Sequence, residues 1–353
     1  MTATTPAADG RAPGTPGGPT GAAHYLGKPP SKAGDRTFLG LSTGAAWLIL
    51  VILAGVAIFL IIKAAPAIAA NWATSPQLNE PVANTPGFDS FWAYVGPLLF
   101  GTVWASFLAL LFGAPVAIGI ALFISHYAPR RIAGILGYLV DLLAAVPSVV
   151  FGLWGILVVR SFLGPLNDFL NEYLGWIPLF GGQVSAGGGT ILAGAIVLAV
   201  MILPIVTSIS REIFLQTPAL HEEAALALGA TKWEMIRLAV FPYARSGIIS
   251  AILLGLGRAL GETMAIAMIV SPKIIVSFRL LTDDNPGTIA SNIANQFSGA
   301  NDLQRDALIA TGLLLFVVSF AVNFLARWIV SRTSVQSNGR APRRARARRE
   351  VTA

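Results

Sequence analysis

Long apolar stretches separated by short polar segments dominate this chain. Six of these stretches approach or exceed the roughly 20 residues that an α-helix needs to cross a bilayer. They lie at residues 43–66, 95–123, 133–159, 189–213, 246–270 and 307–330. The second and third are longer than one bilayer and contain Pro115 and Pro147, so we expect a tilt or a break in each. The pattern predicts an all-α, polytopic membrane protein with about six transmembrane helices.

Composition narrows the classes of function. Of the 353 residues, 55% are hydrophobic and 12% are charged, and the mean hydropathy is +0.70, which is typical of membrane proteins. The chain has no cysteine, which excludes disulfides, thiolate metal sites and cysteine nucleophiles. Its three histidines, His24, His126 and His221, are too scattered for a histidine metal site. Without paired histidines in a span or a G-x-S-x-G motif, an intramembrane enzyme is a poor alternative.

Positive charge follows the membrane topology. With the N-terminus inside, 18 of the 24 Lys and Arg residues fall in cytoplasmic segments and four fall in outward loops. The positive-inside rule therefore predicts that both termini are cytoplasmic. We expect residues 1–40 to form a disordered tail, residues 41–332 the transmembrane domain, and residues 333–353 a basic tail at the lipid surface. No folded domain supports a nucleic-acid partner for these charges.

The cytoplasmic segment at residues 217–242 contains the stretch HEEAALALGATKWEMIRLAVFP. Its start resembles the zinc motif H-E-x-x-H, in which two histidines one helical turn apart bind the metal. The position of the second histidine is occupied by Ala225, which has no metal-binding atom. The segment is therefore not a zinc site of this type.

Helix-capping signals predict two short helices in the 217–242 segment. Thr217, followed by a proline, is placed to cap the first helix, and Gly229 is placed to end it in a left-handed conformation. Thr231 and Glu234 have the spacing of a capping box, and Pro242 is expected to end the second helix. The predicted apolar faces comprise Leu220, Ala224 and Leu228 in the first helix and Trp233, Ile236 and Val240 in the second. These helices must dock either on this protein's own membrane domain or on a partner.

A charge pair lies in the fifth predicted span. Arg258 is 12 residues from each end of the stretch 246–270, and Glu262 follows one helical turn later on the same face. Placing an arginine at the bilayer centre costs roughly 2.5–3.5 kcal/mol on insertion scales. Gly257 and Gly261 form a G-x-x-x-G pattern that would allow another backbone to approach closely.

Two interpretations of this charge pair remain open on the residues alone. The first is a structural ion pair within the helix bundle. The second is a water-accessible oxyanion site, because a guanidinium can donate two parallel hydrogen bonds to one phosphate group. In that case Glu262 holds Arg258 in the absence of the anion and competes with the anion when it arrives.

Three segments resemble a known family. Residues 217–242 resemble the E-A-A loop of ATP-binding-cassette importer permeases, although two usual aliphatic residues are replaced by Ala239 and Phe241. Residues 143–155 and 257–263 resemble motifs of the C-type permease subunit of phosphate-specific systems. The matching loop residues are Glu223, Ala224, Ala225, Gly229 and Pro242. The resemblance implies a type I (MetI-like) importer permease architecture.

The same resemblance implies roles for particular residues. The loop would enter a groove on a nucleotide-binding subunit, with Glu223 ordering the loop and Gly229 permitting its turn. Arg258 and Glu262 would take part in phosphate translocation. Pro147, Ser148 and Thr263 are further candidates for the substrate pathway.

Partners and cofactors are also implied by the resemblance. It implies a second, related permease subunit, two copies of a cytoplasmic ATPase and an extracytoplasmic phosphate-binding protein in a bacterial cytoplasmic membrane. This chain contains no G-x-x-x-x-G-K-[ST] motif, so we expect ATP and Mg²⁺ to bind the ATPase and no cofactor to bind here. The alternatives are a permease for another oxyanion, such as molybdate or sulfate, and a proton-coupled secondary transporter.

Overall fold

Helices account for most of the protein. The computed structural model describes residues 32–75, 78 and 88–338; the rest of both predicted tails, 1–31 and 339–353, lies outside the described residues. In chain order the elements are α1 (Lys32–Ala69), α2 (Phe91–Leu122), α3 (Arg130–Ala144), α4 (Ser148–Trp154), α5 (Arg160–Leu174), α6 (Ile191–Leu215), α7 (Ala219–Ala227), α8 (Lys232–Met235), α9 (Phe241–Leu260), α10 (Met264–Ile269), β1 (Pro272–Lys273), β2 (Asn285–Pro286), α11 (Ile289–Gln296) and α12 (Asp302–Asn338). The described residues also form three π-helical turns, at Phe123–Tyr127, Gly155–Val159 and Ile236–Val240.

Within the described residues, six helical segments are long and apolar enough to cross a membrane, which confirms the predicted number. They are Arg36–Ala69, Phe91–Tyr127, Ser148–Leu174, Ile191–Leu215, Lys232–Leu260 and Asp302–Leu325. The bounds of two of them differ from the prediction. The third crossing begins at Ser148, because the predicted span 133–159 is split between α3 and α4. The fifth begins at Lys232 and ends at Leu260, whereas the predicted span ran from 246 to 270.

The predicted proline breaks have different outcomes. Pro115 lies inside the continuous helix α2, whereas Pro147 lies in the gap between α3 and α4. A proline disfavours the helical conformation of the residue before it, which explains why the helix stops ahead of Pro147.

Contacts divide the chain after Val56, and the first unit contains the start of α1. The helix begins at Lys32, so the prediction that all of residues 1–40 are disordered is wrong for residues 32–40. Large apolar side chains of this unit, including Trp47, Leu48 and Ile49, are exposed. An apolar surface of this kind suits contact with lipid or with a partner helix.

The core of the second unit, from Ala57 on, forms around α6. This is the most buried of the six crossing segments, and it packs along α2 and α9. Small residues allow close approach: a Cβ built on Gly255 of α9 would lie 2.8 Å from Cγ2 of Val206. The hydroxyl of Thr207 donates to the carbonyl oxygen of Ala117 at 3.2 Å, which links α6 to α2 in the buried interior.

Loop segments form a cap at the N-terminal end of α6. Asn285 is fully buried there; its amide donates to the Gly189 carbonyl at 2.6 Å and its side-chain oxygen accepts from the Ile191 N–H at 2.8 Å. On the surface, Lys273 Nζ lies 2.7 Å from Asp284 Oδ1. This hydrogen bond lowers the pKa of Asp284 and raises the pKa of Lys273, because it favours both charged forms.

Candidate functional site

A break in the fifth crossing helix separates the two charges of interest. α9 ends at Leu260 and α10 begins at Met264, so Glu262 does not continue the helix that carries Arg258. The prediction of one helical face is therefore wrong, and the described residues contain no ion pair between these two side chains. Gly261, the first residue after α9, takes φ −92° and ψ 0°, a conformation at which a helix can end.

The carboxylate of Glu262 stabilises the start of α10 instead. Only 8% of this residue is exposed, and its Oε1 accepts the backbone N–H of Ala265 at 3.1 Å. The hydroxyl of Thr263 donates to the carbonyl oxygen of Gly261 at 3.2 Å. Both side chains thus satisfy backbone groups that the break leaves without helical partners.

Arg258 occupies the last turn of α9 and lines a cavity of about 930 Å³. Its Nε is buried and has no hydrogen-bond partner among the described residues. A cation in the last turn is favoured by the partial negative charge of the helix C-terminus, which offsets part of its cost in the membrane. The cavity is lined by Ile205, Ser250, Leu253, Leu254, Gly257, Arg258, Phe320, Asn323, Phe324 and Arg327.

Gly257 lines this cavity and does not pack against another helix of the described residues. A Cβ built on it has no neighbour within 4 Å among the described residues, so the predicted G-x-x-x-G packing contact is not formed there. Gly255, two residues earlier, is the glycine of α9 that makes the close contact to α6.

The other pathway candidates lie at the second helix break. Pro147 precedes α4, with φ −60° and ψ 141°, and Ser148 is the first residue of that helix. α4 packs on α10: a Cβ built on Gly152 would lie 3.2 Å from Ala265 Cα. One break therefore precedes α4 and the other precedes α10, and these two helices are in contact. Neither Pro147 nor Ser148 lines the Arg258 cavity, and Glu262 and Thr263 do not line it either.

The first helix of the 217–242 segment begins without the predicted cap. α7 starts at Ala219, and the buried hydroxyl of Thr217 has no hydrogen-bond partner within the described ranges. The prediction that Thr217 caps the helix is therefore wrong. The end of α7 does follow the prediction. Gly229 has φ +85°, its N–H donates to Leu226, and the next N–H donates to Ala225, which together form a Schellman motif.

The capping box after this glycine is also confirmed. The N–H of Glu234 donates to the Thr231 hydroxyl at 3.3 Å, and the N–H of Thr231 donates to Glu234 Oε2 at 2.8 Å. Pro242, however, does not end the second helix, because α8, a π-helical turn and α9 form one continuous path from Lys232 to Leu260. The wide turn immediately before Pro242 accommodates a residue that has no N–H to donate.

The 217–242 segment is anchored on one side and exposed on the other. Ile236 and Val240 are fully buried against Phe214 at the end of α6. Leu228, the residue that follows α7, is 90% exposed. A groove of about 740 Å³ runs beside it, lined among others by Ala224, Ala225, Gly229 and Glu234. The exposed side of the segment thus has a large apolar side chain beside an open groove.

Sequence reasoning missed one contact of this segment. His126, in the π-helical turn after α2, places Nε2 3.5 Å from Oε1 of Glu222 and its Nδ1 2.7 Å from the Ser125 hydroxyl. Glu223, to which the resemblance assigned the ordering role, is exposed. Since His126 and Glu222 are far apart in the sequence, no local pattern could have revealed their contact.

Comparison with known proteins agrees with this architecture. Residues 113–335 match the family described as binding-protein-dependent transport system inner membrane component. The chain belongs to this family. It is 48% identical to a phosphate transport system permease protein, PstC 2, of Mycobacterium tuberculosis, over 85% of this chain and 93% of the relative. It is also 48% identical to the PstC protein of Mycobacterium leprae, over 77% of this chain and 86% of the relative.

A solved structure supports the fold of this importer component. A chain of a bacterial alginate ABC transporter, crystallised with an alginate pentasaccharide-bound periplasmic protein, superposes with a TM-score of 0.56. The match covers 85% of this chain and 96% of the other at 18% identity. The helix order is therefore that of an importer permease of the predicted type.

Proposed function

We propose that this chain is one permease subunit of an ATP-driven importer that carries inorganic phosphate across the cytoplasmic membrane by alternating access. The observation that best supports this proposal is Arg258, an arginine in a membrane-crossing helix that lines a cavity. Its Nε has no hydrogen-bond partner in the part of the chain that the structure describes. A guanidinium in this setting suits a tetrahedral oxyanion, because its fork geometry matches two oxygens of one phosphate. The similarity to phosphate transport permeases supports phosphate as that anion.

The chain is a transport subunit and catalyses no chemical reaction itself. We assign ATP and Mg²⁺ to a separate ATPase, present in two copies, and no cofactor to this chain. The 217–242 segment docks on that ATPase through exposed residues of α7 and the turn at Gly229. Its buried half, Ile236 and Val240, packs against α6 and continues into α9. Closure of the ATPase is thereby passed along one helical path to the Arg258 cavity.

Two further subunits complete the importer. A second permease subunit closes the open side of the cavity, and an extracytoplasmic phosphate-binding protein delivers the anion to the cap at the N-terminal end of α6. Both termini of this chain are cytoplasmic in this arrangement, in a bacterial inner membrane whose lipid contacts the apolar helix faces. The two helix breaks shape the substrate pathway, and they are stabilised by Pro147, Ser148, Glu262 and Thr263.

The test is phosphate uptake by the complete importer in proteoliposomes with enclosed ATP. Arg258→Gln should abolish uptake while the complex still assembles, and Arg258→Lys should retain only part of it because Lys lacks the fork. Lys63→Gln is the matched control: Lys63 also lies in a crossing helix, but its Nζ is 3.9 Å from Asp306 Oδ1. Full uptake by Arg258→Gln would refute the role of Arg258.

The same assay separates the alternatives. Uptake by this importer should require ATP and resist a protonophore, whereas a secondary transporter would show the opposite. Unlabelled phosphate should compete with labelled phosphate, while sulfate and molybdate should not. Stronger competition by sulfate or molybdate would identify that anion as the substrate in place of phosphate. The importer mechanism would be unaffected.

A further inference from the structure

The Arg258 cavity contains a second arginine that the proposed function does not use. One wall is α9, which contributes Ser250, Gly257 and Arg258, and the other is α12, which contributes Asn323 and Arg327. The two walls belong to the fifth and sixth segments that are long and apolar enough to cross a membrane. Since consecutive crossings alternate in direction, we treat these two helices as antiparallel. Arg327 lies in the second half of α12, which continues to Asn338, and Arg258 lies in the last turn of α9. In an antiparallel pair of helices these two side chains lie toward opposite ends of the cavity, and we take the Arg327 end as its mouth.

The polar residues of the cavity lie at short intervals along the two helices. Eight residues separate Ser250 from Arg258, which is about 12 Å along a helix. On the facing helix, Asn323 lies one turn before Arg327, about 6 Å along the axis. Polar groups are thus present at the depth of Arg258, at an intermediate depth and at the mouth, in a cavity otherwise lined by apolar side chains.

The charge of the cavity is unbalanced. Arginine remains protonated in proteins, so the lining carries two positive charges, and no Asp or Glu is among its residues. Neither arginine forms an ion pair with a carboxylate within the described part of the chain. Glu262, the nearest carboxylate in the sequence, is bonded to the α10 backbone. The described part of the chain therefore supplies no anionic partner for either arginine.

We propose that Arg327, with Asn323 and Ser250, forms a second oxyanion-binding site at the mouth of this cavity, to which phosphate passes after leaving Arg258. This inference rests on the proposed function for the identity of the anion. A second site nearby lowers the cost of leaving the first, because the anion exchanges one guanidinium for another. The lining offers donors suited to an oxyanion at each step, namely guanidinium, amide and hydroxyl groups.

The natural absence of cysteine makes a direct test simple. Asn323→Cys would place one thiol of this chain between the two arginines. In the assembled importer, the rates of its modification by a negatively and a positively charged methanethiosulfonate of similar size are compared. The two cationic side chains should favour the anionic reagent by on the order of tenfold or more, as a charged cleft concentrates counter-ions. Millimolar inorganic phosphate should slow the reaction.

Charge variants in the same background decide the role of Arg327. Arg327→Gln should bring the two rates close together and weaken protection by phosphate. Arg131→Gln is the matched control, because Arg131 is an exposed arginine at the start of α3, outside this cavity. An unchanged rate ratio in Arg327→Gln would overturn the proposal. So would a thiol that neither reagent reaches, because lipid or the second permease subunit would then cover this face and keep an anion out.

The same experiments test the second site and the identity of the substrate separately. The modification assay needs no transport, so it can be read when Arg258→Gln has stopped uptake. If Arg327 governs the anion preference but sulfate protects better than phosphate, the second site stands and the choice of phosphate fails. If phosphate uptake depends on Arg258 while the preference ignores Arg327, the proposed function stands and the second site fails.

Discussion

Replacing Gly229 tests whether the turn at the end of α7 is needed for coupling to the ATPase. The residue has φ +85°, and a Cβ built on it meets no atom of the described residues within 4 Å. Gly229→Ala therefore introduces no clash and leaves only the backbone cost of a left-handed L-residue, about 1–2 kcal/mol. A cost of this size lowers the population of the turn about 5–30-fold.

Asparagine makes the comparison specific to the backbone. It tolerates the left-handed conformation better than alanine, because its side chain can hydrogen-bond locally. Gly229→Asn, although larger, should therefore be less harmful than Gly229→Ala. Gly299→Ala is the control, because Gly299 also has open space at its Cβ position but does not have a positive φ.

The assay measures ATP hydrolysis and phosphate uptake by the complete importer in the same vesicles. Gly229→Ala should lower both about 5–30-fold if docking of the 217–242 segment limits turnover, Gly229→Asn should lower them less, and Gly299→Ala should leave them near wild type. Equal activity of Gly229→Ala and wild type would refute the role of the turn. An asparagine variant worse than the alanine variant would show that side-chain volume at the docked surface is limiting.

Two other capping interactions can be tested separately. Glu262→Gln should retain an acceptor for the Ala265 N–H and keep most of the thermal stability of the purified importer. Glu262→Ala should destabilise the importer by about 1–3 kcal/mol, because a buried N–H loses its partner. Stability in Glu262→Ala equal to wild type would contradict the cap. Thr231→Ala should cost about 1 kcal/mol at the start of α8, and Thr231→Ser should cost less. Protease sensitivity of the 217–242 segment measures the second effect, and equal sensitivity of the two Thr231 variants would argue against the capping box.

Local sequence signals predicted the parts of the structure that local physics determines. The length of the apolar runs gave six crossings, since only a helix satisfies its own backbone in lipid. The capping box at Thr231 and the left-handed turn at Gly229 followed from short-range hydrogen bonding and from the missing Cβ. The sequence could not show that Pro242 is accommodated by a π-helical turn, because that depends on packing around Ile236 and Val240.

The break after α9 was missed for a related reason. Residues on both sides of it, including Ala259 and Ile266, are buried in the same apolar core, so the hydrophobic run continues through the gap. The pattern around Gly257 and Gly261 was interpreted as a packing motif, although a glycine also favours the end of a helix. Only the fold shows that Gly257 borders a cavity and that Gly255 makes the close contact.

The helix break also explains how a cation can remain unpaired in this cavity. If α9 continued, Glu262 would follow Arg258 by one turn, and the substrate would have to displace a carboxylate in every transport cycle. In the observed fold that carboxylate accepts the Ala265 N–H. The guanidinium lies in the last turn of α9, where the helix C-terminus stabilises a cation by at most about 2 kcal/mol. No carboxylate of the described residues pairs with it, so an anion can bind it without first displacing an acidic side chain.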